Sequence, residues 1–157
     1  MHARQALLAT LALSLGACNG LAASVTYLGA DESSGSSQAV LVGGHALVYT
    51  SQLLPLDKEG NLIGKGSVDT QLAQVIFNLE AALAAAGSGT NHLVKLNLYV
   101  DSRRTAAAVE KLLAKRFRKP ALPAMSWVCT PLPHEALVAL DAVAVVPGEA
   151  PAAVTTK

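Results

Sequence analysis

Residues 69–100 read DTQLAQVIFNLEAALAAAGSGTNHLVKLNLYV, and the change of period inside this stretch decides the fold class. From Asp69, a residue of N-cap type, apolar side chains recur at Leu72, Val75, Ile76, Leu79 and Leu83. This is the spacing of one buried helix stripe, and Gly87 after Ala86 supplies a C-terminal stop. Beyond Gly87 the spacing becomes two. Val94, Leu96, Leu98 and Val100 alternate with Lys95, Asn97 and Tyr99, as in a strand covered on one face. Further out, a second helix is predicted from about Arg103 to Phe117, with the stripe Val109, Leu112, Leu113 and Phe117, and Pro120 prevents its continuation. Strands are predicted from Met125 to Thr130 and from Leu137 to Val146. Upstream, Ala46 to Thr50 is β-rich, and Leu53, Leu54 and Leu56 lead through the turn composition Asp57-Lys58-Glu59-Gly60-Asn61 to Leu62-Ile63, the pattern of a hairpin. Helices placed singly among short strands predict an α+β domain, one mixed β-sheet covered on one face by two helices. An uncovered face bearing Leu137, Ala139, Val143 and Val145, or their alternates, is too apolar to stay wet in a lone monomer, so a homo-oligomer is expected.

The 157 residues suit one domain, and 52% of them are hydrophobic, enough for a sizeable core. Twelve Lys+Arg against eleven Asp+Glu give a net charge of +1, which excludes a strongly basic nucleic-acid binder and an acidic disordered chain alike. One Trp, three Tyr and two Phe are too few for a single-strand stacking platform, and Cys18 with Cys129 cannot form a disulfide framework. No nucleic-acid partner, metal or cofactor is expected; the composition points to a neutral partner or a small molecule.

Residues 1–17 have the form of a secretory leader: Met1-His2-Ala3-Arg4, then the apolar run Ala6 to Leu15, about half the length of a membrane span. The run ends in Leu15-Gly16-Ala17-Cys18, which resembles the bacterial lipobox, in which the Cys thiol receives diacylglycerol. Cleavage there makes Cys18 the lipidated mature N-terminus, removes Arg4 and balances the charge. The expected location is therefore the bacterial cell envelope, as a periplasm-facing lipoprotein held to the membrane by its lipid anchor only. Gly20-Leu21-Ala22 would serve ordinary cleavage and secretion to the periplasm, and a misassigned start would leave the chain cytoplasmic. Residues 18–37, rich in Gly, Ser and Ala, are expected to form a tether, 38–147 the folded domain and 148–157 a tail.

Within that domain, Leu47-Val48-Tyr49-Thr50-Ser51, Pro55, Gly60, Gln71, Gln74, Asn78-Leu79, Ala86-Gly87, Val94-Lys95, Tyr99-Val100-Asp101, Pro123-Ala124, Leu132-Pro133 and Asp141-Ala142-Val143-Ala144 stand in one order and spacing. Together they resemble the Rid family, also called YjgF-like or L-PSP-like. The resemblance implies a chorismate-mutase-like α+β protomer, a homotrimer, and a small-molecule ligand cleft between neighbouring subunits. Many members are enamine/imine deaminases that hydrolyse imino acids released by pyridoxal-phosphate enzymes. In those members an arginine follows the Pro-Ala pair and clamps the substrate carboxylate; here Met125 follows Pro123-Ala124, and a thioether cannot replace the guanidinium fork. The family's water-positioning glutamate falls on Ala139, its cleft aromatic on Gln38 and the glycine of its Thr-Ser-Gly on Gln52, while Thr50 and Ser51 match.

Met125, Trp127 and Cys129 share one strand face. By residue type they pack a core or a subunit interface; the family geometry turns them into the cleft, Met125 above all. Cys129 is a nucleophile only if a base or a positive field lowers its thiol pKa, and no Cys-His motif supplies one. Asp141, two residues from Ala139, either substitutes for the missing carboxylate or serves as a structural hydrogen-bonding group, the role its place beside the water-positioning glutamate implies. His45, His92 and His134 lack zinc-ligand spacing. The basic run Lys115-Arg116-Phe117-Arg118-Lys119 falls at a helix C-terminus, where cations complement the dipole, and lends only weak support to the ribonuclease label some members carry. Two functions stand: a non-catalytic binder with its cleft between subunits, or an imine deaminase or other hydrolase using Ser51, Asp141 or Cys129 in a reorganised cleft.

Overall fold

The computed structural model describes residues 23–117 and 121–148. The leader at 1–17, Cys18 with its proposed lipid, Arg118-Lys119-Pro120 and the tail from 149 lie outside the described residues. Eight elements follow in order: β1 (Ser24–Leu28), β2 (Ala39–Gly43), β3 (Ala46–Tyr49), α1 (Val68–Ala85), β4 (Leu93–Val100), α2 (Arg103–Arg116), β5 (Ala124–Cys129) and β6 (Val138–Val146).

Helix α1 begins one turn earlier than its apolar stripe announces. The cap is Ser67, not Asp69: the Thr70 amide donates to Ser67 Oγ at 3.3 Å, and Asp69 instead sits in the first turn, where a carboxylate complements the dipole. At the other end Ser88 N donates to Leu83 O and Gly87 N to Ala84 O, the paired bonds of a Schellman cap. Gly87 at φ 73° supplies the left-handed residue this cap needs. Helix α2 is capped by Ser102 and ends at Phe117, which turns extended and buried, so the helix stops before the Pro120 expected to end it.

The main sheet has the order β3-β6-β4-β5. Strands β4 and β5 pair in parallel across the α2 crossover, whereas β6 runs antiparallel to both β3 and β4. Leu96, Leu98 and Val100 of β4 and Val138, Leu140, Ala142 and Ala144 of β6 join Leu72, Val75, Ile76, Leu79 and Leu83 of α1 and Val109 and Leu113 of α2 in one core. Both helices therefore cover the same sheet face, as expected.

Three local expectations fail for identifiable reasons. Leu62-Ile63 does not return as a hairpin strand. Residues 46–49 pair with β6, and the turn closes through one bridge, Leu56 to Leu62, with Asp57 Oδ1 accepting from Glu59 N and Asn61 N. Those bonds hold the Asp57 carboxyl below its ordinary pKa. The tether expected at 18–37 is, from residue 24, a strand and an ordered turn: β1 pairs antiparallel with β2, Asp31 Oδ1 accepts from Ser33 N, and Ser37 N donates to Pro123 O beside β5. The Gly and Ser residues here form a turn rather than a linker. Lastly, the uncovered sheet face is not apolar throughout, because the period of two sends Leu140, Ala142 and Ala144 under the helices and leaves Lys95, Asn97, Tyr99, Ser126 and Asp141 outside. Its exposed apolar groups, Leu47, Tyr49 and Val128, lie toward the two sheet edges.

Polar side chains of α1 hold the long loop ahead of it. Asn78 Nδ2 donates to Leu54 O and Leu56 O at 2.9 Å each, and Gln74 Nε2 donates to Leu56 O. Gln71 is fully buried; its Nε2 donates to Gly64 O at 3.2 Å, while its Oε1 accepts from Leu137 N at 2.7 Å. Gln71→Ala leaves both backbone groups unpaired beside a cavity, and urea unfolding should show a loss of about 2–4 kcal/mol.

Candidate functional site

The sheet separates the sequence-predicted residues into two groups. Past the end of β3, Thr50 N donates to Ala142 O and Leu53 N to Leu140 O, so Ser51 and Gln52 together oppose Asp141. This bulge pushes both residues outward, exposed, beside the strand that carries Ala139 and Asp141. Thr50 Oγ1 locks the start of the bulge by accepting from Ala142 N at 2.9 Å.

The second group lies at the opposite edge. Met125, Trp127 and Cys129 occupy β5, the outermost strand beyond β4, and Ser37 bridges to Ala124 at its start. Gln38 follows Ser37 and is exposed; its side chain packs over Gly29, where a Cβ would come within 2.7 Å of Gln38 Cδ. Three strand spacings, roughly 14 Å, separate β3 from β5 within a protomer.

Register also assigns the faces. Met125 pairs with Leu96, Trp127 with Leu98 and Cys129 with Val100, which places all three on the helix-covered side. Met125 packs against the core there; Trp127 remains 37% exposed, and Cys129 is an exposed free thiol. Ala139 pairs with Tyr99 and Asp141 with Asn97, on the other face. The positions of the family's clamp and of its water-orienting acid thus lie on opposite faces of one protomer. Within the protomer the β4 register turns half-buried Met125 toward the core, while Trp127 and Cys129 stay exposed on the same side.

What the sequence reading missed is a polar row across the open face. Lys95 Nζ donates to Ser126 Oγ at 2.6 Å, Asn97 Nδ2 to Asp141 Oδ1 at 2.7 Å and the Tyr99 hydroxyl to Asp141 Oδ2 at 2.8 Å. The signal was present: Lys95, Asn97 and Tyr99 are the polar half of the β4 alternation, and Ser126 and Asp141 take the matching positions on the flanking strands. The Asp141 hydrogen bond, with burial and the carboxylate charge behind it, raises the Tyr99 pKa above its ordinary value. Each Asp141 oxygen thus accepts one bond, which fixes the orientation of the carboxylate on the open face. Among the described residues no cluster of His, Cys, Asp and Glu is placed to hold a metal ion.

The family model described as Endoribonuclease L-PSP matches residues 32–146. The chain belongs to this family. A RutC family protein of Synechocystis is 34% identical over 113 residues, 71% of this chain and 85% of the relative. A 2-iminobutanoate/2-iminopropanoate deaminase of Dermatophagoides farinae is 28% identical over 111 residues, 70% of this chain and 84% of that one. Among solved structures, a Rid-family protein of unknown function from Yersinia pestis superposes with a TM-score of 0.64 at 25% identity, covering 72% of this chain and 88% of its own. The Rid fold accounts for the two helices on one face of a mixed sheet.

The bond between Tyr99 and Asp141 makes a pH-dependent contribution. It is present below the unfolded tyrosine pKa and is lost as pH rises through the raised folded value. Ultraviolet titration should show two tyrosines ionising late in the wild type, Tyr27 because of its burial and Tyr99 because of its bond to Asp141, and only the second should move to lower pH in Asp141→Asn.

Proposed function

We propose that this Rid-family chain is a small-molecule-binding protein whose ligand cleft forms between the protomers of a homotrimer, and that it lacks imine deaminase activity. The division of Ser51 and Gln52 from Met125, Trp127 and Gln38 between the two edges of the sheet carries this reading. The edges of one protomer cannot converge, whereas the β5 edge of one copy can meet the β3 edge of the next. The same contact covers Tyr49 and Val128, exposed near the two edges. Light scattering of the purified protein should give a trimer, and a stable monomer at micromolar concentration would refute the shared cleft.

The absence of deaminase activity rests on chemistry. Met125 offers no charge-assisted fork for a carboxylate, and Ala139 offers no group to orient water. At about 2–4 kcal/mol for each such group, the deficit is about a thousandfold or more in rate where the two contributions add. In a coupled assay that generates 2-iminobutanoate in place, the wild type should fall short of an arginine-bearing relative by that factor; equal rates would overturn the proposal. The alternative is a deaminase or other hydrolase with a reorganised cleft. It draws on the exposed Ser51 opposite Asp141 and on the relative named as a deaminase, and Ser51→Ala would then abolish the measured rate.

The proposed location is the bacterial cell envelope, by a lipid on Cys18, and the support is the basic, apolar and small-residue order of residues 1–18. Cys18→Ala should release the protein from membranes in its native host, and an intact mass that retains Met1 would contradict the anchor.

A further inference from the structure

We infer that the open sheet face holds a binding site for a small monocarboxylate with an apolar body, its carboxylate received by Lys95 and Ser126. The inference rests on the homotrimer proposed above, with the further premise that a neighbouring protomer also lies against this face, and it names the ligand class.

Lys95 is half-buried and its ammonium has three donors, of which one is given to Ser126 Oγ. Among the described residues no ion pair involves Lys95. Ser126 accepts from Lys95, which leaves its own hydrogen free to donate. An ammonium N–H and a serine O–H side by side suit an oxyanion, which accepts from both.

The surroundings select among oxyanions. Asn97, paired in register with Ser126, commits its amide N–H to Asp141, so the Asp141 charge is fixed one strand beyond, on the same face. A single negative charge at Lys95 pairs with the ammonium, whereas a second finds no further cation in the row and is repelled by Asp141. A carboxylate is thereby favoured over a phosphate dianion. Val143 pairs with both Lys95 and Tyr49, and Val128 pairs with Tyr99, so apolar side chains flank the polar row on both sides and receive an apolar ligand body.

In an isolated protomer this ammonium faces water, where a carboxylate gains little from it. Under a second protomer the charge loses solvent, and a bound monoanion then offsets that loss. The cation so placed stands on the opposite face from Met125, the position of the family's clamp, so the ligand carboxylate has a receptor at a different place in the fold.

Calorimetric titration of the full chain with butanoate and, separately, with inorganic phosphate tests the inference. Wild type should bind butanoate saturably and phosphate at least about tenfold more weakly. Lys95→Met should weaken butanoate by about tenfold or more, Ser126→Ala by about threefold, and Lys95→Arg should restore most of the affinity. Lys111→Met, the same loss of charge on the exposed side of α2, should change nothing. Circular dichroism of each variant confirms that it folds. Undetectable butanoate binding by the wild type, unchanged affinity in Lys95→Met, or phosphate binding as tight as butanoate would each overturn the inference. Light scattering on the same samples separates the two readings: a trimer that does not bind butanoate refutes this site alone, and a monomer refutes the assembly.

Discussion

Leu96, Leu98 and Val100 of β4 must lie beneath α1 and α2, because they are the alternate apolar residues of the strand between β6 and β5. A slip of one residue would bring Lys95, Asn97 and Tyr99 into the core and leave three charged or polar groups without solvent, a cost of several kcal/mol. Register is therefore fixed at β4 and propagates outward to its neighbours. Met125, Trp127 and Cys129 follow Leu96, Leu98 and Val100 to the covered face; Ser126, Ala139 and Asp141 follow Asn97 and Tyr99 to the open one.

The residues that resemble the family divide accordingly between support and chemistry. Gln71, Gln74 and Asn78 face the loop at 54–64 and hold its carbonyls, and through Gln71 the same helix also holds the start of β6. These amides place the bulge at Ser51 and Gln52 beside Asp141, although none of them belongs to a cleft. Met125 and Ala139 stand where the family resemblance implies a clamp and a water-orienting acid, whereas the residues that hold the scaffold match.

A cation without a carboxylate partner is tolerable on a solvated sheet face and costly on a covered one. Lys95 consequently ties two questions together, what covers the open face and what neutralises it. The trio of Asn97, Tyr99 and Asp141 orients the one acidic group of the row away from Lys95, the separation on which the proposed preference for a monoanion depends.

The helices, the central strands and the one-sided layering were legible in residues 69–146, since periods of 3.6 and 2 are local properties of the chain. The family was legible too, from short motifs in a fixed order. The strand at Ser24–Leu28 was not, because five residues amid Gly and Ser give too short an alternation, and β1 is held by a partner fifteen residues on and by the Tyr27 hydroxyl on Leu93 O. Nor could alternation alone say which half of β5 faces the helices; that depends on pairing with β4, a contact between residues 29 apart. The local sequence thus determined the elements and the residue types lost from the clamp. Tertiary structure alone decided which residues share a face, since register is set by burial summed over strands distant in sequence. That register turned scattered polar residues of three strands into one row.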